Sequence, residues 1–302
     1  MTGRTYEILD VFTETPFTGN PLAVVHDGTG LDDAAMQRIA REFNLSETVF
    51  LLPPATPGHT AAARIFTPAV ELPFAGHPTV GAAVAIARRS PDHGPGVTRM
   101  VTVEERIGTV RCVVRARSGG ADFAEFDLPR LPEVLEAAPT ADRVARALGL
   151  PDHDIGFGRF PVSVATAGVP YVCVPVNGLA ALGRARPDLA VWDEVFPPEH
   201  AATFLFTRET GRLDGNYRAR MFSPRLGIPE DPATGSAVAA FAGLLVRFGD
   251  LPDGVSEILV EQGVEMGRPS VIRLEIELRD GDLHAVRLGG HAVRIAEGRL
   301  FA

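Results

Sequence analysis

The sequence contains no lysine: all 29 basic residues are arginine, against 38 acidic ones, a balance of 29 − 38 = −9. The missing lysine reads as a mark of genomic base composition rather than of function. The negative balance, with no basic cluster beyond Arg88-Arg89 and Arg115/Arg117, argues against nucleic acid or an anionic membrane as partner. Cysteine is nearly absent, and Cys112 and Cys173 cannot make a disulfide framework. No apolar run approaches the ~20 residues of a membrane span. Met1 to Val11 lacks the apolar core of a signal peptide, so a soluble cytoplasmic protein is the expectation. There is no His-x-x-x-His pair, no metal-spaced cluster and no Gly-x-Ser-x-Gly elbow. A metal enzyme or a hydrolase is therefore disfavoured. No glycine fingerprint follows a strand, which speaks against a dinucleotide fold.

What is present is a hydrophobic content of 45% in 302 residues, enough for a sizeable core and suited to two domains of roughly 150 residues each. The chain also repeats itself. His77-Pro78-Thr79-Val80-Gly81-Ala82-Ala83-Val84-Ala85 lies over Asp231-Pro232-Ala233-Thr234-Gly235-Ser236-Ala237-Val238-Ala239 without gaps, with five of nine positions identical. Phe66-Thr67-Pro68 and Phe222-Ser223-Pro224 precede the two copies, and Gly19-Asn20-Pro21-Leu22 is echoed by Gly168-Val169-Pro170-Tyr171. Each main copy reads as the start of a helix, with Asp231, Thr79 or Thr234 able to cap and a proline in the first turn. The helices are expected over Gly81 to Ala87 and Gly235 to Val246. They are apolar all round, as in a helix buried on every side.

Around them the pattern is of short strands. Arg4 to Val11 alternates like an edge or barrel strand, and a helix follows from Asp32 or Asp33 to Asn44 with Met36, Ile39, Ala40 and Phe43 on one face. Pro129 to Pro139 reads as a linker. Separate strands are expected at His284 to Leu288 and Ala292 to Ile295. Many short strands, one buried helix per half and an internal duplication together imply two similar domains, each a strongly curved sheet around its own helix.

Asp10-Val11-Phe12-Thr13, Pro16-Phe17-Thr18-Gly19-Asn20-Pro21, Ser46-Glu47-Thr48, Glu71 to Thr79, Glu230 to Ser236, and Gln262-Gly263 with Met266 to Ser270 follow one another in an order that resembles the PhzF (phenazine biosynthesis protein F) family. The resemblance implies an α+β, diaminopimelate epimerase-like fold of two pseudo-symmetric domains, each a curved, largely antiparallel sheet rolled around a buried helix. The expected domains are 1–128, joined by the terminal strand 288–302, and 129–287. It further implies chemistry with no cofactor and no metal, frequent homodimers, and a small carboxylate substrate. The reaction it implies is that of trans-2,3-dihydro-3-hydroxyanthranilate isomerase, in which a proton leaves one carbon and returns to another.

By resemblance, Glu47 matches the glutamate that moves the proton, and His77 and Asp231 match active-site residues. Ser236 matches a substrate-contacting serine, with Gly235, Thr234 and Gly76 beside these positions. Gly19 and Asn20 read equally as lining of the site and as a structural turn. Met266 to Ser270 reads as structural. In related epimerases two thiols sit at the positions of Gly76 and Asp231. Neither is cysteine here, which removes a two-thiol racemisation. Glu47 is followed by Thr-Val-Phe-Leu-Leu, apolar surroundings that suit a base taking a proton from carbon. Its ordinary alternative is a carboxylate at a strand start, and that of His77 is a core histidine. The remaining functional classes are a non-catalytic binding protein and an enzyme of unknown substrate, such as an epimerase or tautomerase. Retention of Glu47, His77 and Asp231 favours an enzyme.

Overall fold

The computed structural model describes residues 3–135, 138–198 and 202–302. It divides into two compact units, Met1–Pro129 with Leu288–Ala302, and Arg130–Arg287. The first contains β1 (Arg4–Val11), β2 (Asn20–Val25), α1 (Asp33–Phe43), β3 (Glu47–Leu52), β4 (Ala61–Phe66), β5 (Glu71–Leu72), α2 (Gly76–Arg88), β6 (Thr98–Glu105), β7 (Gly108–Arg115) and β8 (Ala121–Asp127). The second contains β9 (Glu133–Leu135), α3 (Ala141–Ala147), β10 (Ser163–Thr166), β11 (Pro170–Pro175), α4 (Gly178–Arg184), α5 (Trp192–Val195), β12 (Thr203–Thr207), β13 (Tyr217–Ser223), β14 (Ile228–Asp231), α6 (Gly235–Phe248), β15 (Gly254–Gln262) and β16 (Ser270–Arg279). The last strand, β17 (Asp282–Leu300), begins in the second unit and ends in the first.

The duplication extends to strand pairing. In the first unit β1–β2 is antiparallel, β2–β3 parallel, β3–β4 and β4–β5 antiparallel, β4–β6 parallel and β6–β7 antiparallel. In the second, β10–β11, β11–β12, β12–β13, β13–β14, β13–β15 and β15–β16 repeat those directions in the same order. Each unit encloses its own helix. Every residue of α2 except Ile86 and Arg88 is buried. In α6 the stretch from Ala237 to Leu245 is buried throughout. A bare Gly81 lets α2 press onto β1 and β2: a Cβ there would lie 2.5 Å from Leu22 Cδ2 and 2.9 Å from Val11 Cγ2.

Several local expectations change. The first helix starts at Gly76 rather than Gly81, so His77 and Pro78 lie in its first turn. Proline fits there because the first-turn N–H groups have no intrahelical acceptor. Neither buried helix is capped by a side chain: Ala75 is the N-cap of α2, and the Thr234 hydroxyl at the N-cap of α6 is turned to Asp231. The expected linker contains β9, which pairs with β10; residues 136 and 137 of that stretch lie outside the described residues. β1 is not an edge, since β2 and β17 flank it. The two expected terminal strands are one. No helix among the described residues is long and apolar enough to cross a membrane.

Candidate active site

Glu47, His77, Asn20, Gly19 and Gly76 belong to the first unit, and Asp231, Thr234, Gly235 and Ser236 to the second. Glu47 opens β3, opposite Leu22 of the parallel strand β2. His77 is the second residue of α2, and α2 is held against Leu22 by the Gly81 contact. Strand start and helix start therefore meet: Glu47 Oε2 lies 3.0 Å from His77 Nε2, and both side chains are buried. On the other side of the ring, the Asn20 amide nitrogen lies 3.3 Å from His77 Nδ1. An amide NH₂ only donates, so Nδ1 accepts, and the proton of the neutral imidazole sits on Nε2, facing Glu47. Despite their closeness, Glu47 Oε2 and His77 Nε2 are not aligned as a hydrogen bond, and neither makes one elsewhere. A carboxylate oxygen and an N–H are thus held side by side without being consumed by each other.

Asn20 owes its place to Gly19. Gly19 adopts φ +68°, and a Cβ there would meet the Val11 carbonyl oxygen at 2.4 Å. Only glycine takes both the left-handed backbone and that approach without strain. The Pro-Phe-Thr-Gly-Asn-Pro loop is therefore a structural turn that also places Asn20 beside His77. Gly76 is the first residue of α2 and is buried.

In the second unit Asp231 closes β14 and is buried, and its Oδ2 accepts from the Thr234 hydroxyl at 2.5 Å. Gln262 braces the same turn. Its Nε2 donates to Asp231 O at 2.8 Å and to Thr234 Oγ1 at 3.0 Å, while its Oε1 accepts from Thr234 N at 3.0 Å. Ser270 Oγ lies 3.0 Å from Pro232 O, and Gly263 (φ +74°) passes so close that a Cβ would sit 2.5 Å from the same oxygen. The segment from Gln262 to Ser270 thus supports the Asp231–Pro232 turn. Gly235 and Ser236 are the first two residues of α6, and Ser236 Oγ lies 2.7 Å from the Tyr171 hydroxyl.

Gln262 and Tyr171 received no role from sequence reasoning. The signal for Tyr171 was its place in the echo, where it answers Leu22. Cys112 and Cys173 lie on β7 and β11, buried and unbridged, and burial pushes both thiols well above their ordinary range. A thiolate proton carrier is not available from either. Among the described residues, no three His, Cys, Asp or Glu side chains group so as to hold a metal ion.

Residues 9–298 match the family of phenazine biosynthesis-like proteins, PhzC-PhzF. The chain is 50% identical over 305 residues to an uncharacterized isomerase of Mesorhizobium japonicum, covering 100% of each. It is 36% identical over 295 residues to the trans-2,3-dihydro-3-hydroxyanthranilate isomerase of Pseudomonas chlororaphis, covering 98% of each. In structure it is similar to the PhzF-family phenazine biosynthesis protein of Bacillus anthracis, with a TM-score of 0.88, 26% identity and 100% of both chains covered. With likeness running the length of the chain in both sequence and structure, it belongs to the PhzF family and is an isomerase with the diaminopimelate epimerase-like fold.

Proposed function

We propose that this isomerase acts without a cofactor on a small unsaturated carboxylate or amino acid of the trans-2,3-dihydro-3-hydroxyanthranilate type, moving a proton from one carbon to another. The observation that carries the reading is the buried Glu47–His77 pair, 3.0 Å apart yet with neither facing atom committed to an aligned hydrogen bond. In this reading Glu47 takes the carbon-bound proton and returns it at a second carbon of the conjugated system. His77, fixed by Asn20 with its N–H toward Glu47, supports the carboxylate while the proton is away and the charge changes. Chemistry of this kind needs one group that alternates between base and acid within one turnover, which a carboxyl can do.

The second unit has the features of a carboxylate-holding position. The start of α6 offers the first-turn amides of Gly235 and Ser236, and the Thr234 side chain does not occupy them. Asp231 is held in one orientation by Thr234 and by the Gln262 brace and is assigned an assisting acid–base role. A two-thiol epimerase mechanism does not fit, because the positions that the resemblance gives to the two thiols are Gly76 and Asp231 here.

The test is turnover of trans-2,3-dihydro-3-hydroxyanthranilate in heavy water by the purified chain. The expected outcome is isomerisation with protein-dependent exchange at the ring carbons. If that acid is bound but neither isomerised nor exchanged, the substrate assignment fails. If a panel of related unsaturated amino acids also shows no C–H exchange, the proton-transfer reading fails with it.

A further inference from the structure

Glu105 closes β6 between two charged residues, Glu104 and Arg106, yet its side chain is buried, and its Oε2 has no hydrogen-bond partner. Its Oε1 lies 2.7 Å from Thr79 Oγ1, and that same hydroxyl lies 2.8 Å from the carbonyl oxygen of Ala75. A hydroxyl has one proton, and a carbonyl can only accept. If Thr79 donates to Ala75, the proton between Thr79 and Glu105 must come from Glu105. A carboxylate would take the hydroxyl proton and leave Ala75 O to the Thr79 N–H alone, 3.2 Å away; a neutral carboxylic acid satisfies both hydroxyl contacts at once.

The surroundings favour the same form. Thr79 on α2 bonds it, Cys112 on β7 lies within reach of its charge, and no cation is among the groups acting on it. The neighbouring charges have their own partners: Glu104 with His59 and the Ala55 and Thr56 amides, and Arg106 with Glu71. Burial pushes the Glu105 carboxyl up to about 8. The second unit supplies an independent comparison. β13 pairs with β15 as β4 pairs with β6, and Arg218↔Glu261 corresponds to Ala62↔Glu104. The next residue in each case ends its strand, so Gln262 stands where Glu105 stands. Gln262, a neutral side chain of the same shape, grips the turn from Asp231 at the end of β14 to Thr234 at the N-cap of α6.

We infer that Glu105 is a positioning residue: as a neutral acid it clamps the Ala75–Thr79 turn that presents His77 to Glu47, and loss of its proton loosens that turn. The inference takes the Glu47–His77 pair as the working pair of the site, as proposed above. Ala75 is the N-cap of α2, two residues before His77, so a shift of its carbonyl moves the imidazole.

The experiment compares wild type with Glu105→Gln, without substrate, across neutral and alkaline pH. Infrared spectra read the protonated-carboxyl stretch, and ¹⁵N-histidine NMR reads the His77 ring. Wild type is expected to show at neutral pH a carboxylic acid band that Glu105→Gln lacks, fading with a midpoint near 8. The His77 ring signals are expected to move with that midpoint in wild type and to lose that movement in Glu105→Gln. The proton also links to stability. The native state holds it above the ordinary carboxyl value while the unfolded chain releases it, so folding weakens as pH rises toward about 8 and levels off beyond; Glu105→Gln removes that slope. Absence of the band in wild type overturns the neutral acid. A band whose loss leaves the His77 signals unmoved overturns the positioning role, and failure of Glu105→Gln to fold also counts against it, because the amide should fit as Gln262 does. These readouts involve no turnover, so they stand or fall separately from the role of Glu47.

Discussion

The two units share a strand-by-strand topology and differ at the positions of the candidate site residues. In the first, β2 and β3 bring together Leu22 and Glu47. In the second the equivalent parallel pair runs Val172↔Thr203, one step beyond Tyr171 and Ala202. Tyr171 thus answers Leu22, and Ala202 answers Glu47. At the helix starts the imidazole of His77 is matched by the carboxylate of Asp231, and the Glu105 clamp by Gln262. One half has a buried dyad with uncommitted facing atoms; the other has an aspartate held by a hydroxyl and braced by an amide. The two copies of the scaffold differ at Leu22/Tyr171, Glu47/Ala202, His77/Asp231 and Glu105/Gln262, among other positions, and in the proposed function these differences separate proton transfer from substrate holding. Features common to both halves are there for the fold: the enclosed helix, and a two-pronged Arg–Glu pair, Arg64 with Glu71 and Arg220 with Glu230.

The contrast can be broken at several points. The largest effect on rate is expected at Glu47. General acid–base groups contribute ~10²–10⁴-fold, so Glu47→Gln should lower kcat by about that factor, whereas Asp231→Asn should cost roughly tenfold or shift where the proton is returned; steady-state rates and product analysis distinguish the two. Next come the turns. Gly19→Ala and Gly263→Ala each add a Cβ about 2.4 Å from a backbone oxygen at positive φ. A destabilisation of about 2–4 kcal/mol is expected for either by denaturant unfolding. Gly19→Ala should also depress kcat more than Gly263→Ala in the protein that still folds, because it displaces Asn20 from His77.

Gln262→Glu probes the two clamps in reverse. It removes two donated bonds, to Asp231 O and Thr234 Oγ1, and should cost about 1–3 kcal/mol, visible as a lower Tm, while Glu105→Gln is tolerated. The smallest effect belongs to the cysteines. Cys112→Ala and Cys173→Ala leave small cavities and should lose about 1 kcal/mol each, with kcat within a few-fold of wild type. A loss of several orders of magnitude would mean that a thiol carries the proton.

Much of this was legible in the chain because the duplication is written in it. The Pro–Gly helix starts, the Asn20 turn and the apolar helices all repeat or stand out locally. What was not legible depends on tertiary contact. The first buried helix was expected from Gly81 but begins at Gly76, in a first turn where proline loses nothing. Gly289-Gly290 reads as a break, but Gly289 is where β17 passes β8, a Cβ there lying 2.6 Å from Glu125 Cβ, so the strand continues. β9 is three residues long and exists by pairing with β10. Glu105 drew no notice in the sequence; its inward side chain comes from the alternation of β6, whose last three residues run buried, intermediate, buried. Gln262 was visible as a motif residue, but its bonds to the Asp231 turn appear only once β15 is placed.

The central claim is that Glu47 carries the proton. The most direct measurement follows C–H exchange in heavy water on the acid that wild type turns over, in wild type and Glu47→Gln, with ligand affinity measured on the same samples. The account predicts near-normal binding by Glu47→Gln, because the amide keeps the shape of the side chain, with exchange and turnover both reduced by at least ~10²-fold. Normal binding together with exchange within a few-fold of wild type would contradict it and move the proton to His77 or Asp231.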